Sequence, residues 1–177
     1  MGGEQNKGVN GKRDSRRGFL KGLTTASAAL LSFESLDGAM PGKPPDGVRG
    51  FDHVAAPMKN TEEMVSFYRA LGFKVMEGKR TCSVHFGDQK INFHRPDSWK
   101  DESFTLRAPA AVPPCGDFCF VWDGSMGSLT AMLASVKAEV IEGPAERRGG
   151  RDGGSVVGMS LYVRDPDDNL LEFIVYS

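Results

Sequence analysis

Ala70–Gly78 reads ALGFKVMEG, and Ser135–Gly143, 65 residues later, reads SVKAEVIEG, with Val75 over Val140, Glu77 over Glu142 and Gly78 over Gly143. The match extends upstream. Met64, Phe67, Tyr68 and Leu71 fall at i, i+3, i+4 and i+7, one face of an amphipathic helix, and the same offset gives Leu129, Met132, Leu133 and Val136. Asn60 followed by Glu63 has the spacing of a capping box, and Gly72 stands where a helix ends. Around the first helix lie a short strand at 51–56 and three more at Lys74–Glu77, Thr81–Phe86 and Lys90–His94. Around the second lie Asp117–Trp122, then Glu139–Glu142, Val156–Val163 and Leu170–Tyr176. One β-α-β-β-β unit is thus written twice. The expectation is an α+β fold of two such modules, with two main helices and a common core. Arg95–Gly116, rich in Pro and Ala, reads as the linker between them.

The rest of the composition sets limits. The chain has 177 residues, 40% hydrophobic and 25% charged, which suits one ordinary globular domain with a tail. The charge is uneven: residues 1–49 carry +3 and residues 50–177 carry −4. A body of that sign is a poor counterion for phosphate backbones, so nucleic acid is not an expected partner. Three cysteines cannot close a disulfide framework.

Residues 1–49 read as a separate segment. Ser15-Arg16-Arg17-Gly18-Phe19-Leu20-Lys21 precedes an uncharged stretch, Gly22–Phe33, too short to span a bilayer, and then a Gly/Pro-rich stretch. The order resembles a twin-arginine export signal. It implies a disordered leader and linker, the twin-arginine export machinery as a partner, and a periplasmic or extracellular destination. The alternative is a basic tail on a cytoplasmic protein.

For residues 50–177 the opening Asp52-His53-Val54, the helix EEMVSFYRALGF and the closing Arg164-Asp165-Pro166-Asp167-Asp168-Asn169-Leu170-Leu171-Glu172-Phe173 carry a resemblance. They resemble the vicinal oxygen chelate superfamily of glyoxalases, extradiol dioxygenases and bleomycin-resistance proteins. The stretches Gln89–His94, Gly116–Cys119 and Ile141–Pro144 look closest to the group of glyoxalase domain-containing protein 5 and its bacterial relatives. The resemblance implies a cupped, partly closed eight-stranded sheet with a divalent metal (Fe, Mn, Ni, Co or Zn) inside it. Carried over by position, the ligands would be His53, Asp117, Glu172 and His94, with Asn92 as the other candidate at the end of module one. Glu172 would also be the catalytic residue.

The residue types suit that chemistry, since neutral imidazole and carboxylate are ordinary ligands for these ions. Glu172 stands in the apolar run LLEFIVY, where an unpaired carboxylate costs several kcal/mol. A salt bridge to Arg164, or to Arg147 or Arg148, is the other reading. His85 reads as structural or cavity-lining. Gly143–Gly154 reads as a flexible surface hairpin or as a lid bringing Arg147 and Arg148 to an anionic substrate. The function expected is a glyoxalase- or dioxygenase-like enzyme acting on a small oxygen-rich molecule through bidentate chelation. The alternative is a metal-free small-molecule-binding protein. A homodimer is left open.

Overall fold

The structure, a computed structural model, describes residues 47–177. The expected leader lies outside the described residues apart from its last three positions. The first module contains β1 (His53–Pro57), α1 (Thr61–Ala70), β2 (Lys74–Glu77), β3 (Thr81–Phe86) and β4 (Gln89–His94). A short helix, α2 (Pro96–Trp99), follows. The second module contains β5 (Asp117–Val121), α3 (Met126–Ser135), β6 (Glu142–Arg148), β7 (Val157–Arg164) and β8 (Leu170–Val175). The bounds of α3 are those of α1 moved by 65 residues. The strand orders are also the same, β1-β4-β3-β2 and β5-β8-β7-β6. In each module the first strand runs parallel to the last, and the remaining pairs are antiparallel.

The two modules are as the repeat predicts, but their strands do not join into one partly closed sheet. They form two four-stranded sheets. β1 and β5 each pair on one side only, so among the described residues their outer edges are unpaired.

One face of each sheet is apolar and buried. Val84, Ile91 and Phe93 of the first sheet, with Phe120, Leu161, Val163, Leu171 and Phe173 of the second, join Met64 and Tyr68 of α1 and Leu129 and Leu133 of α3 in a single core. Aromatic rings cross between the modules: Phe73–Phe120 at 5.1 Å, Phe86–Phe120 at 5.2 Å and Phe93–Phe118 at 6.0 Å between centroids. Burying these faces is the main driving force for the fold.

Three local expectations are corrected. Asn60 precedes α1, but its side chain makes no capping bond. Its amide Nδ2 instead donates to Pro166 O at 3.1 Å. The second strand of the second module does not cover Glu139–Glu142; β6 runs from Glu142 to Arg148, through a register shift between Glu142 and Ala145. The segment read as a flexible hairpin is therefore largely an edge strand followed by a 3-10 turn at Arg151–Gly154. The linker contains α2, and Trp99 Nε1 donates to Met58 O at 2.7 Å, fixing it to the first module.

The closing motif locks the two modules together. Asp167 accepts from the backbone N–H groups of Lys59 and Asn60, at 2.6 and 2.8 Å, at the entry to α1. Asp165 accepts four hydrogen bonds of 2.9 Å: from Asp167 N and Asn169 N on one oxygen, and from Asn169 Nδ2 and the Tyr68 hydroxyl on the other. Asn169, fully buried, uses its Oδ1 to accept from Cys115 N and Gly116 N. Burial raises the Asp165 carboxyl above its ordinary range, while the bonds from Asn169, Tyr68 and the backbone pull it down.

Candidate functional site

Strand alternation places the candidates on the faces opposite the core. On the first sheet, His53, Ala55 and Pro57 of β1 lie beside Lys90, Asn92 and His94 of β4, and these beside His85, Ser83 and Thr81 of β3. On the second, Asp117 and Cys119 of β5 lie beside Leu170 and Glu172 of β8, and Glu172 lies beside Tyr162 of β7. His53, Asp117 and Cys119 are exposed, and Asn92, His94 and Glu172 half-buried. His53, Asp117 and Cys119 thus open these faces to the outside, and Val121, 56% exposed, continues the second one, while Ser160 and Ile174, on the face of Glu172, are buried.

Each candidate has its own setting. His53 Nδ1 donates to Asp52 Oδ1 at 2.6 Å, which keeps Nε2 available as an acceptor or ligand. That bond holds the exposed Asp52 carboxyl below its usual range. Asn92 Oδ1 accepts from Ser83 Oγ at 2.7 Å. His94 sits edge-on to Phe104 at 5.1 Å, and its imidazole is held below its ordinary pKa by burial, then by the charges of Arg80 and Arg107. His85 Nε2 is buried with no hydrogen-bond partner.

Among the described residues Glu172 has no salt bridge. Its Oε1 accepts from the buried Ser160 Oγ at 2.5 Å, within the range of charge-assisted O–H···O⁻ bonds. Arg164 instead donates to Asp168 O, at 2.8 Å. Arg147 pairs with Glu142 at 2.5 Å and donates to the Tyr162 hydroxyl at 2.9 Å, and Arg148 donates to Ser155 O. Both arginines expected on a mobile lid are thus tied to the second sheet. Cys119 stands beside Glu172, and its thiol is pushed up to about 12 by desolvation, then by the Glu172 charge and hydrogen bond and by Asp117.

Among the described residues, no three His, Cys, Asp or Glu side chains gather as a metal site would require. A cleft of about 640 Å³ opens where the turn after α1, the β3–β4 turn and β5 meet. Phe73, Phe86, Phe120 and Trp122 wall it, and Cys119 links it to the face of Glu172. Its size and apolar lining are those of small-molecule sites.

Sequence reasoning missed Arg80 and Arg107, which reach His94 from the β2–β3 turn and from the linker. Arg107 stands in a Pro/Ala-rich run, LRAPAAVPP, whose composition signals only a spacer.

No family model matches the chain. The chain is 35% identical over 132 residues to glyoxalase domain-containing protein RDO1 of Mycosarcoma maydis, covering 73% of this chain and 69% of that protein. It is 31% identical over 127 residues to virulence protein STM3117 of Salmonella typhimurium, covering 71% of this chain and 83% of that one. The crystal structure of STM3117 superposes with a TM-score of 0.63 over 73% of this chain and 98% of that one, at 30% identity. A protein from the mobile metagenome of V. Pseudocholerae superposes with a TM-score of 0.64 over 73% of this chain and 96% of its own, at 29% identity.

Proposed function

The chain belongs to the vicinal oxygen chelate superfamily of glyoxalase and bleomycin-resistance proteins, and from that membership we propose that it is an enzyme that binds a small oxygen-rich molecule at a divalent metal held between two copies of the chain. The observation that carries the reading is the outward facing of the two candidate half-sites. One sheet offers imidazole and the other carboxylate, and each has an unpaired edge strand. Facing the first sheet of one copy with the second sheet of another brings His53, with His94 or Asn92, opposite Asp117 and Glu172.

The donor types fit a divalent metal. His53 keeps a free Nε2, and Glu172 keeps a second carboxylate oxygen beyond the one bonded to Ser160. Among the described residues one chain alone does not gather such a donor set, and the second copy would complete it. When bound, a metal there supplies Lewis acidity that polarises a pair of substrate oxygens and stabilises developing enolate charge. Asp52 fixes the His53 tautomer. Ser160 orients Glu172, whose second carboxylate oxygen would hold the metal. Cys119, protonated at neutral pH, lines the site without acting as a nucleophile.

The test is subunit complementation. His53→Gln and Glu172→Gln proteins, each purified alone, should lose the rise in melting temperature that divalent metal gives the wild type. Mixed and allowed to exchange, they should regain about a quarter of the metal sites, because half the dimers are mixed and each mixed dimer rebuilds one of its two sites. A monomeric wild type in sedimentation, or no regain on mixing, rejects the two-copy site. A wild type whose melting temperature ignores both metal and chelator puts the metal-free binding protein in its place.

A further inference from the structure

A second, smaller cavity of about 30 Å³ lies under the linker, at the end of the outward face of the first sheet. Ala55 and Pro57 of β1 and His94 of β4 line it from the sheet, and Trp99, Arg107 and Ala111 from the linker. Its walls are apolar except for two groups, the His94 imidazole and the Arg107 guanidinium. The linker over it is a built element. Trp99 is bonded to Met58, Phe104 packs on His94, and the Arg80 guanidinium lies 4.8 Å over the Phe104 ring. Arg80 has acceptors of its own in Ser98 Oγ at 3.3 Å and Asp101 at 3.6 Å. Arg107 donates only to carbonyls of its own strand of linker, Ala108 O and Pro109 O, and none of the described ion pairs includes it. A half-buried guanidinium and an imidazole thus face one void, and among the described residues no carboxylate pairs with either; the second guanidinium, Arg80, stands behind and is answered by Asp101.

We infer that this cavity receives the carboxylate of the substrate, held by Arg107 and His94, and that the substrate is therefore a small carboxylic acid. Size supports the choice. A water needs about 10–15 Å³ of such space, so about 30 Å³ has room for a group with two oxygens. Arg107 supplies a planar fork suited to two oxygens. Asn92, two residues before His94 on the same face, and His53 beyond it would meet the rest of the molecule. The inference rests on the reading of this face as the small-molecule site, and gives that site its substrate class.

The experiment is an NMR titration of the full chain with sodium pyruvate and, separately, with its neutral amide, at constant ionic strength set by sodium chloride. The His94 imidazole, one of three in the chain, is the reporter. Pyruvate should shift it saturably and the amide should not. Arg107→Gln should weaken pyruvate at least tenfold, Arg107→Lys by less, and Arg147→Gln should leave it unchanged. Equal binding of acid and amide, absence of a saturable shift, or an unaltered affinity in Arg107→Gln, with its fold verified by its melting curve, each overturns the inference. Repeating the titration on Glu172→Gln with chelator separates the two proposals. Pyruvate binding kept there sustains the carboxylate cavity even if the metal reading falls, and its loss there overturns the cavity as an independent site.

Discussion

Replacing Tyr68 by phenylalanine removes one oxygen from the protein and, with it, one of the four hydrogen bonds on the Asp165 carboxylate. The ring keeps its neighbours Phe67, Phe73 and Phe93, so no cavity opens. The cost is then that of a hydrogen bond to a charged group, about 1.5–3 kcal/mol. The lower half applies, about 2 kcal/mol, since Asn169 Nδ2 still serves the same oxygen. With a urea dependence of about 1–3 kcal/mol per molar, the midpoint should fall by about 1 M with unchanged slope. The pH dependence is a second signature. Burial, then the charge and hydrogen bond of Asp165, raises the Tyr68 phenol well above 10. A raised folded pKa means that its contribution is complete below the unfolded value and is lost as pH rises toward the folded one. At pH 11 an unfolded tyrosine that ionises near 10 takes about 1.4 kcal/mol from the wild type and nothing from Tyr68→Phe. The gap between the proteins should therefore narrow from about 2 to about 0.6 kcal/mol. Urea titrations at pH 7, 9, 10 and 11 measure it. A gap constant to pH 11, or no gap at pH 7, refutes this account of the clasp.

Three further outcomes are expected. Asp165→Asn places an NH₂ against at least one pair of N–H or O–H donors, and should lose about 3–4 kcal/mol in urea unfolding, more than Tyr68→Phe. Gly143→Ala sets a Cβ 2.3 Å from Ser160 O at a backbone φ of +110°, and should lower the melting temperature by the equivalent of about 2 kcal/mol or more; unchanged melting would contradict the described β6–β7 approach. If residues 1–49 act as an export leader, changing Arg16 and Arg17 together to lysine should retain the protein in the cytoplasm, and equal fractionation of the two forms would end that proposal.

The helices were legible because their burial follows from local period. The buried Met64 and Tyr68, and their counterparts Leu129 and Leu133, are the residues the period selects. The end of α1 was legible too, since Gly72 adopts a φ of +90°. Alternation alone placed Glu172 on the face away from Leu171 and Phe173. The cap of α1 was not legible, because its acceptor is Asp167, 107 residues further along the chain. β6 was hidden by composition: Gly, Pro and paired arginines read as turn, yet the strand forms because β7 supplies its ladder. Arg107 was hidden for a similar reason. Its meaning comes from His94, which the linker covers, and nothing in the spacing of LRAPAAVPP states that.

The clasp also sets a timetable for synthesis. The carboxylate that receives the Lys59 and Asn60 amides at the entry to α1 is translated only 107 residues after Asn60. At about 5–20 residues per second the first module waits roughly 5–20 s on the ribosome with that end of its helix open. For the first part of that interval its apolar sheet face also lacks Phe118 and Phe120, which the second module brings. The duplicated architecture therefore does not mature one repeat at a time. The native state closes in one late step, and a nascent chain stopped before Asp165 should remain exposed to proteases although nearly all of its helices and strands have been made.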